Sequence, residues 1–122
     1  MFSILLVDDD EQLRAVLGES LRREGYDVRE ACDGRQGERM YRERRADLVI
    51  TDLIMPEKEG LETILDLRQN HPGVKIIAMS GGGRSGFQTG LKVAEAFGAR
   101  RVLAKPFSRR EMLEAVRQVL EG

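Results

Sequence analysis

ILLVDDD, residues 4–10, places four apolar side chains directly before three carboxylates. With Phe2 the apolar run spans residues 2–7, too short for a core helix and interrupted by charge where a helix would continue. Such a run reads as a strand buried on both faces. The next stretch has a different period. From Glu11 to Glu24, Leu13, Val16, Leu17 and Leu21 recur at helical spacing, with Asp10 placed to cap the helix and Gly25 placed to end it.

The same alternation continues to the end of the chain. Tyr26–Ala31 reads as a strand, and a polar helix opens at Asp33-Gly34 and runs to about Arg45. Leu48–Thr51 is a buried strand ending at Asp52, and Met55-Pro56 breaks the chain after it. Gly60 and then Leu61, Ile64, Leu65 and Leu67 give a helix stopped near Asn70 by His71-Pro72-Gly73. Val74–Met79 is a strand ending at Ser80, and a glycine-rich loop over 81–86 leads to a helix predicted over 88–97. Arg101–Ala104 is the last strand, closed by Lys105-Pro106. Ser108 with Glu111 forms a capping box for a last helix carrying Met112, Val116, Val119 and Leu120 on one face. Five strands alternating with five helices give an α/β fold, a doubly wound parallel sheet covered on both sides.

Composition narrows the function classes. The 122 residues fit one domain spanning 1–122. No linker or repeat is visible, so a single domain with no output domain is expected. Twenty basic residues against 21 acidic ones lack the basic excess of a nucleic-acid-binding domain. The arginine pairs at 22–23, 44–45, 100–101 and 109–110 mostly have acidic neighbours and read as solvated helix faces. The lone Cys32 excludes an internal disulfide and a cysteine zinc site, and it is expected to be a small buried residue. No apolar run approaches the roughly 20 residues of a membrane span. The first strand lacks the basic lead of a signal peptide, so no membrane association and a cytoplasmic location are expected.

Polar residues suited to chemistry follow four of the five apolar runs: Asp8 and Asp9, Asp52, Ser80, and Lys105. In an open parallel sheet, ligands bind beyond the strand ends where the strand order reverses. In the order 2-1-3-4-5 that point lies between the first and third strands, which brings Asp8, Asp9 and Asp52 together. At about 4–6 Å, each pair of carboxylates costs on the order of a few kcal/mol in partly desolvated surroundings. A hard divalent cation such as Mg²⁺ removes that cost. An aspartate beside such a cation can attack phosphorus. Lys105 can offset the charge of the transferred group, and Ser80 can donate a hydrogen bond to it. Singly, each residue has an ordinary explanation, as a helix-start acid, a turn aspartate or a surface lysine. Their joint placement at successive strand ends is what points to carboxylate phosphorylation.

ILLVDDD (4–10), LVITDLIMPEKEG (48–60), KIIAMSG (75–81) and VLAKPF (102–107) together resemble the response-regulator receiver domain along essentially the whole chain. The resemblance implies a flavodoxin-like sheet of order 2-1-3-4-5 and a stand-alone, chemotaxis-receiver-like response regulator of a two-component phosphorelay. In that reading Asp52 is the phospho-acceptor. Asp9 binds Mg²⁺ directly (Mn²⁺ could substitute), Asp8 largely through water, and the backbone carbonyl of Ile54 completes the protein's share. Ser80 turns toward the phosphoryl group, Lys105 pairs with its oxygen, and Lys105-Pro106 is a cis peptide. The implied donor is a phosphohistidine on a sensor histidine kinase or a histidine phosphotransfer protein, and a downstream protein of unknown identity reads the result. That readout face comprises the helix over 88–97, the last strand and the last helix. A monomer or a weak homodimer is implied.

The chain departs from the family's pattern in places. Val102 stands where an aromatic often lies three residues before the lysine, so readout leans on Ser80 and the loop after it. That loop is long and glycine-rich, which predicts a segment ordered by phosphorylation. Ile54 and Gly82, two residues after Asp52 and Ser80, cannot orient a water, which predicts slow self-dephosphorylation. The alternative is a non-phosphorylated receiver-like interaction module. A phosphatase of the haloacid-dehalogenase type would need a second acid at Ile54, and the loop lacks the lysine of a nucleotide-binding phosphate loop. The chain is therefore expected not to be an enzyme, with single-turnover self-phosphorylation as its only chemistry.

Overall fold

The computed structural model describes residues 1–53, 60–80 and 95–122. Strands β1 (Ser3–Val7), β2 (Asp27–Ala31), β3 (Leu48–Asp52), β4 (Ile76–Ser80) and β5 (Arg101–Ala104) alternate with helices α1 (Glu11–Arg23), α2 (Gly34–Glu43) and α3 (Gly60–Asn70), and α4 (Arg109–Glu121) closes the chain. All strand pairs are parallel, and the sheet order is β2-β1-β3-β4-β5. The predicted helix over 88–97 lies outside the described residues except for its end, where Glu95 and Ala96 are helical and the chain turns at Gly98, φ +108°.

Pleating sends alternate residues of each strand to opposite faces. Ile4 and Leu6 join Leu17 and Leu21 of α1 and Met112, Val116 and Val119 of α4 in one core. Leu5 and Val7 join Tyr41 of α2 and Ile64 and Leu67 of α3 in the other. Both cores use β1, which explains why it is apolar at every position from Ile4 to Val7.

The helix ends are chemically defined. The side chains of Asp10, Asp33 and Ser108 accept from the backbone N–H groups of Leu13, Gln36 and Glu111, and Ser108 and Glu111 complete the capping box. Gly25 adopts φ +94°, the left-handed conformation that suits glycine after a helix. The polar α2 is held by other means. Arg29 of β2 donates to the carbonyls of Met40 and Arg44 at its C-terminal end. Gly37 packs so closely on the sheet that a Cβ there would lie 2.8 Å from Val7 Cγ2.

Two expectations are corrected. Cys32 is exposed, because it sits in the turn between β2 and α2 with Asp33 beside it. Val16 belongs to the helical repeat of α1 yet is 61% exposed, because the buried stripe runs through Leu17 and Leu21 instead.

Candidate functional site

The register of the central strands builds the site. Val7 pairs with Thr51, so Asp8 and Asp52 are the next residues out on neighbouring strands. Asp52 pairs with Met79, and Ser80 pairs with Ala104, so Ser80 and Lys105 follow along the same rim. The carboxylate oxygens of Asp8, Asp9 and Asp52 lie within 4.8 Å of one another. Asp8 and Asp52 are buried, whereas Asp9 is exposed. Lys105 Nζ lies 3.3 Å from Asp8 Oδ2 and 3.5 Å from Asp52 Oδ1, so the cation from β5 reaches carboxylates from both β1 and β3. The Lys105-Pro106 peptide is cis.

The two buried carboxylates are held differently. Asp8 is fully buried; its Oδ1 accepts from the Asp10 N–H at 2.9 Å. Its own N–H donates to the Ala31 carbonyl at 3.1 Å. Asp52 Oδ1 accepts from the Leu53 N–H at 3.0 Å. Burial pushes the Asp52 carboxyl above the ordinary aspartate range, against the pull of Lys105, and the neighbouring Asp8 charge pushes it the same way. Ser80 is buried, and its carbonyl accepts from the Lys105 N–H at 2.8 Å. This bond ties the ends of β4 and β5.

Among the described residues, three carboxylates faced by one ammonium make an oxygen-only donor set with residual negative charge. Such a set fits a hard divalent cation, with Asp8, Asp9 and Asp52 as the residues that would hold it. The fourth predicted donor, the carbonyl of Ile54, lies outside the described residues, as does the glycine-rich loop after Ser80.

Sequence reasoning missed Arg14. Its Nη1 donates to the Asp8 carbonyl at 2.7 Å, and its Nε meets Glu30 Oε1 at 3.2 Å. Nothing in the helical repeat singles it out; only the fold brings β2 alongside. His71, read as a turn residue, does lie away from the rim, and its ring meets Tyr41 edge-on at 4.7 Å between centroids.

Comparison with known proteins agrees with this geometry. The transcriptional regulatory protein CpxR of Klebsiella pneumoniae is 38% identical over 98% of this chain, which covers 50% of CpxR. The chain spans half or less of the length of the first curated relatives it matches. The receiver domain protein (CheY-like) of Methanospirillum hungatei superposes with a TM-score of 0.91 at 26% identity, covering 99% of this chain and 94% of that one. Chemotaxis protein CheY4 of Vibrio cholerae gives 0.87 at 28% identity, with 98% of each chain covered. Among the described residues no helix is long and apolar enough to cross a membrane. Residues 4–117 match the response regulator receiver domain, and with the sheet order and the acidic rim in agreement, the chain belongs to that family of two-component signalling domains.

Proposed function

We propose that Asp52 accepts a phosphoryl group from a phosphohistidine on a sensor histidine kinase or a histidine phosphotransfer protein, and that the phosphorylated chain signals by contact with a downstream protein. The observation that carries this reading is the convergence of the Asp8, Asp9 and Asp52 oxygens within 4.8 Å, with Lys105 beside two of them. An Asp52 oxygen attacks phosphorus, the phosphorus–nitrogen bond of the donor breaks with its electron pair staying on that nitrogen, and the imidazole leaves neutral, its other ring nitrogen carrying the proton it already held in the phosphohistidine. Lys105 is placed to neutralise charge gathering on the phosphoryl oxygens. Ser80, next along the rim, is the proposed hydroxyl donor to the product. Mg²⁺, when bound, supplies charge neutralisation and orientation. Asp9, Asp52 and the Ile54 carbonyl are its proposed direct ligands, with Asp8 holding it largely through water. With Ile54 and Gly82 at the water-orienting positions, the phosphoryl group is long-lived, and Ile54→Asn shortens its lifetime.

Incubation with a small-molecule phosphodonor and Mg²⁺, followed by intact-protein mass spectrometry, tests the reading. The expected result is addition of one phosphoryl group, abolished by Asp52→Ala or by chelator and slowed about 100-fold by Lys105→Ala. An unchanged mass in the wild type with Mg²⁺ present overturns the reading and leaves a non-phosphorylated interaction module.

A further inference from the structure

Asp8 and Asp9 are adjacent in sequence, yet both belong to one oxygen cluster. On an extended strand, neighbouring side chains point to opposite faces. The chain must therefore leave strand geometry between them, and the peptide joining them must be fixed for both carboxylates to converge. The carbonyl oxygen of that peptide belongs to Asp8, and Arg14 Nη1 donates to it at 2.7 Å.

We infer that Arg14 is a positioning residue for the divalent cation: it holds the Asp8–Asp9 peptide at the angle that lets both side chains face Asp52. This rests on the cation-binding reading of those three residues. Arg14 is itself held. Its side chain is only 15% exposed, its Nε meets Glu30 of β2, and Arg22 Nη2 braces the same glutamate at 3.0 Å. A guanidinium near a cation site is adverse by Coulomb's law alone. The bonds of Arg14 go to a backbone carbonyl and to Glu30, not to the carboxylates of the cluster, so it orients the site without filling it.

The sign of the effect tests this. Titration calorimetry with MgCl₂ at constant ionic strength is compared for wild type, Arg14→Met and Arg22→Met, at a temperature where circular dichroism shows each variant folded. Positioning predicts that Arg14→Met weakens Mg²⁺ binding about tenfold, the scale for residues that orient metal ligands. Arg22→Met removes the same charge from the same glutamate but leaves the Asp8 carbonyl bonded, so its affinity stays within about twofold of wild type. Arg14→Lys keeps a donor for that carbonyl and recovers most of the loss. If Arg14→Met does not fold, Arg14→Leu against Arg22→Leu carries the test, with weakening expected in the first only. Unchanged or tighter binding in a folded Arg14→Met overturns the inference while leaving the cation site standing. Absence of Mg²⁺ uptake by the wild type overturns both.

Discussion

The ends of β1 and β3 each present a buried aspartate, but they are built to opposite purposes. At β1, Asp8 has partners for both carboxylate oxygens, its N–H and its carbonyl: Asp10, Lys105, Ala31 and Arg14. At β3, the Asp52 carboxylate has the Leu53 N–H and the longer Lys105 contact, and burial holds it above the usual acid range. The first is satisfied and serves as scaffold. Among the described residues the second has fewer partners, which suits the acceptor role proposed for it. A buried polar group costs free energy to the extent that its bonds are missing, so the reactivity proposed for Asp52 would draw on a local deficit of stabilisation.

Substitutions that reverse the contrast should reveal it. Gly60 closes over the β3 end, with its N–H on the Leu53 carbonyl, and a Cβ there would fall 1.9 Å from the Asp52 carbonyl oxygen. Gly60→Ala is expected to cost about 3 kcal/mol in urea unfolding, because backbone must move to admit it. Asp8→Asn should cost about 2 kcal/mol by the same measurement, since an acceptor bonded to both Lys105 and Asp10 loses its charge. Asp52→Asn should act in the other direction. A carboxyl raised in the folded state binds its proton more tightly there than in the unfolded chain. Stability therefore falls as pH rises from the unfolded-chain value, near 4, through the folded one. Without added divalent cation, Asp52→Asn is expected to melt about 3 °C higher at neutral pH, the scale of roughly 1 kcal/mol for a domain this size. The gain should vanish below about pH 4. A destabilised Asp52→Asn at neutral pH would break the comparison.

Much of this contrast was legible in the sequence, because strand ends are. A parallel strand buried on both faces is an apolar run, and the first polar residue after it marks the rim, so Asp8, Asp52, Ser80 and Lys105 could be placed from pattern alone. The partners of those residues were not legible. Arg14 sits on α1 like a solvated helix residue until β2 supplies Glu30. Arg29 interrupts an edge strand until α2 ends against it. Cys32 resembles a buried residue by type, but the turn leaves it outside. Which side of a helix faces the sheet by a margin of one residue decides between Val16 and Leu17, and periodicity does not resolve that margin.

The Tyr41–His71 contact gives the molecule a built-in reporter. His71 is the chain's only histidine, so its ring protons give a pair of magnetic-resonance signals that need no assignment by mutagenesis. α3 begins against Leu53 and ends just before His71, and eleven residues span roughly 16 Å of helix. A disturbance at Asp52 that moves the imidazole signals has crossed the full depth of the α2–α3 layer, and one that leaves them still has stayed at the rim.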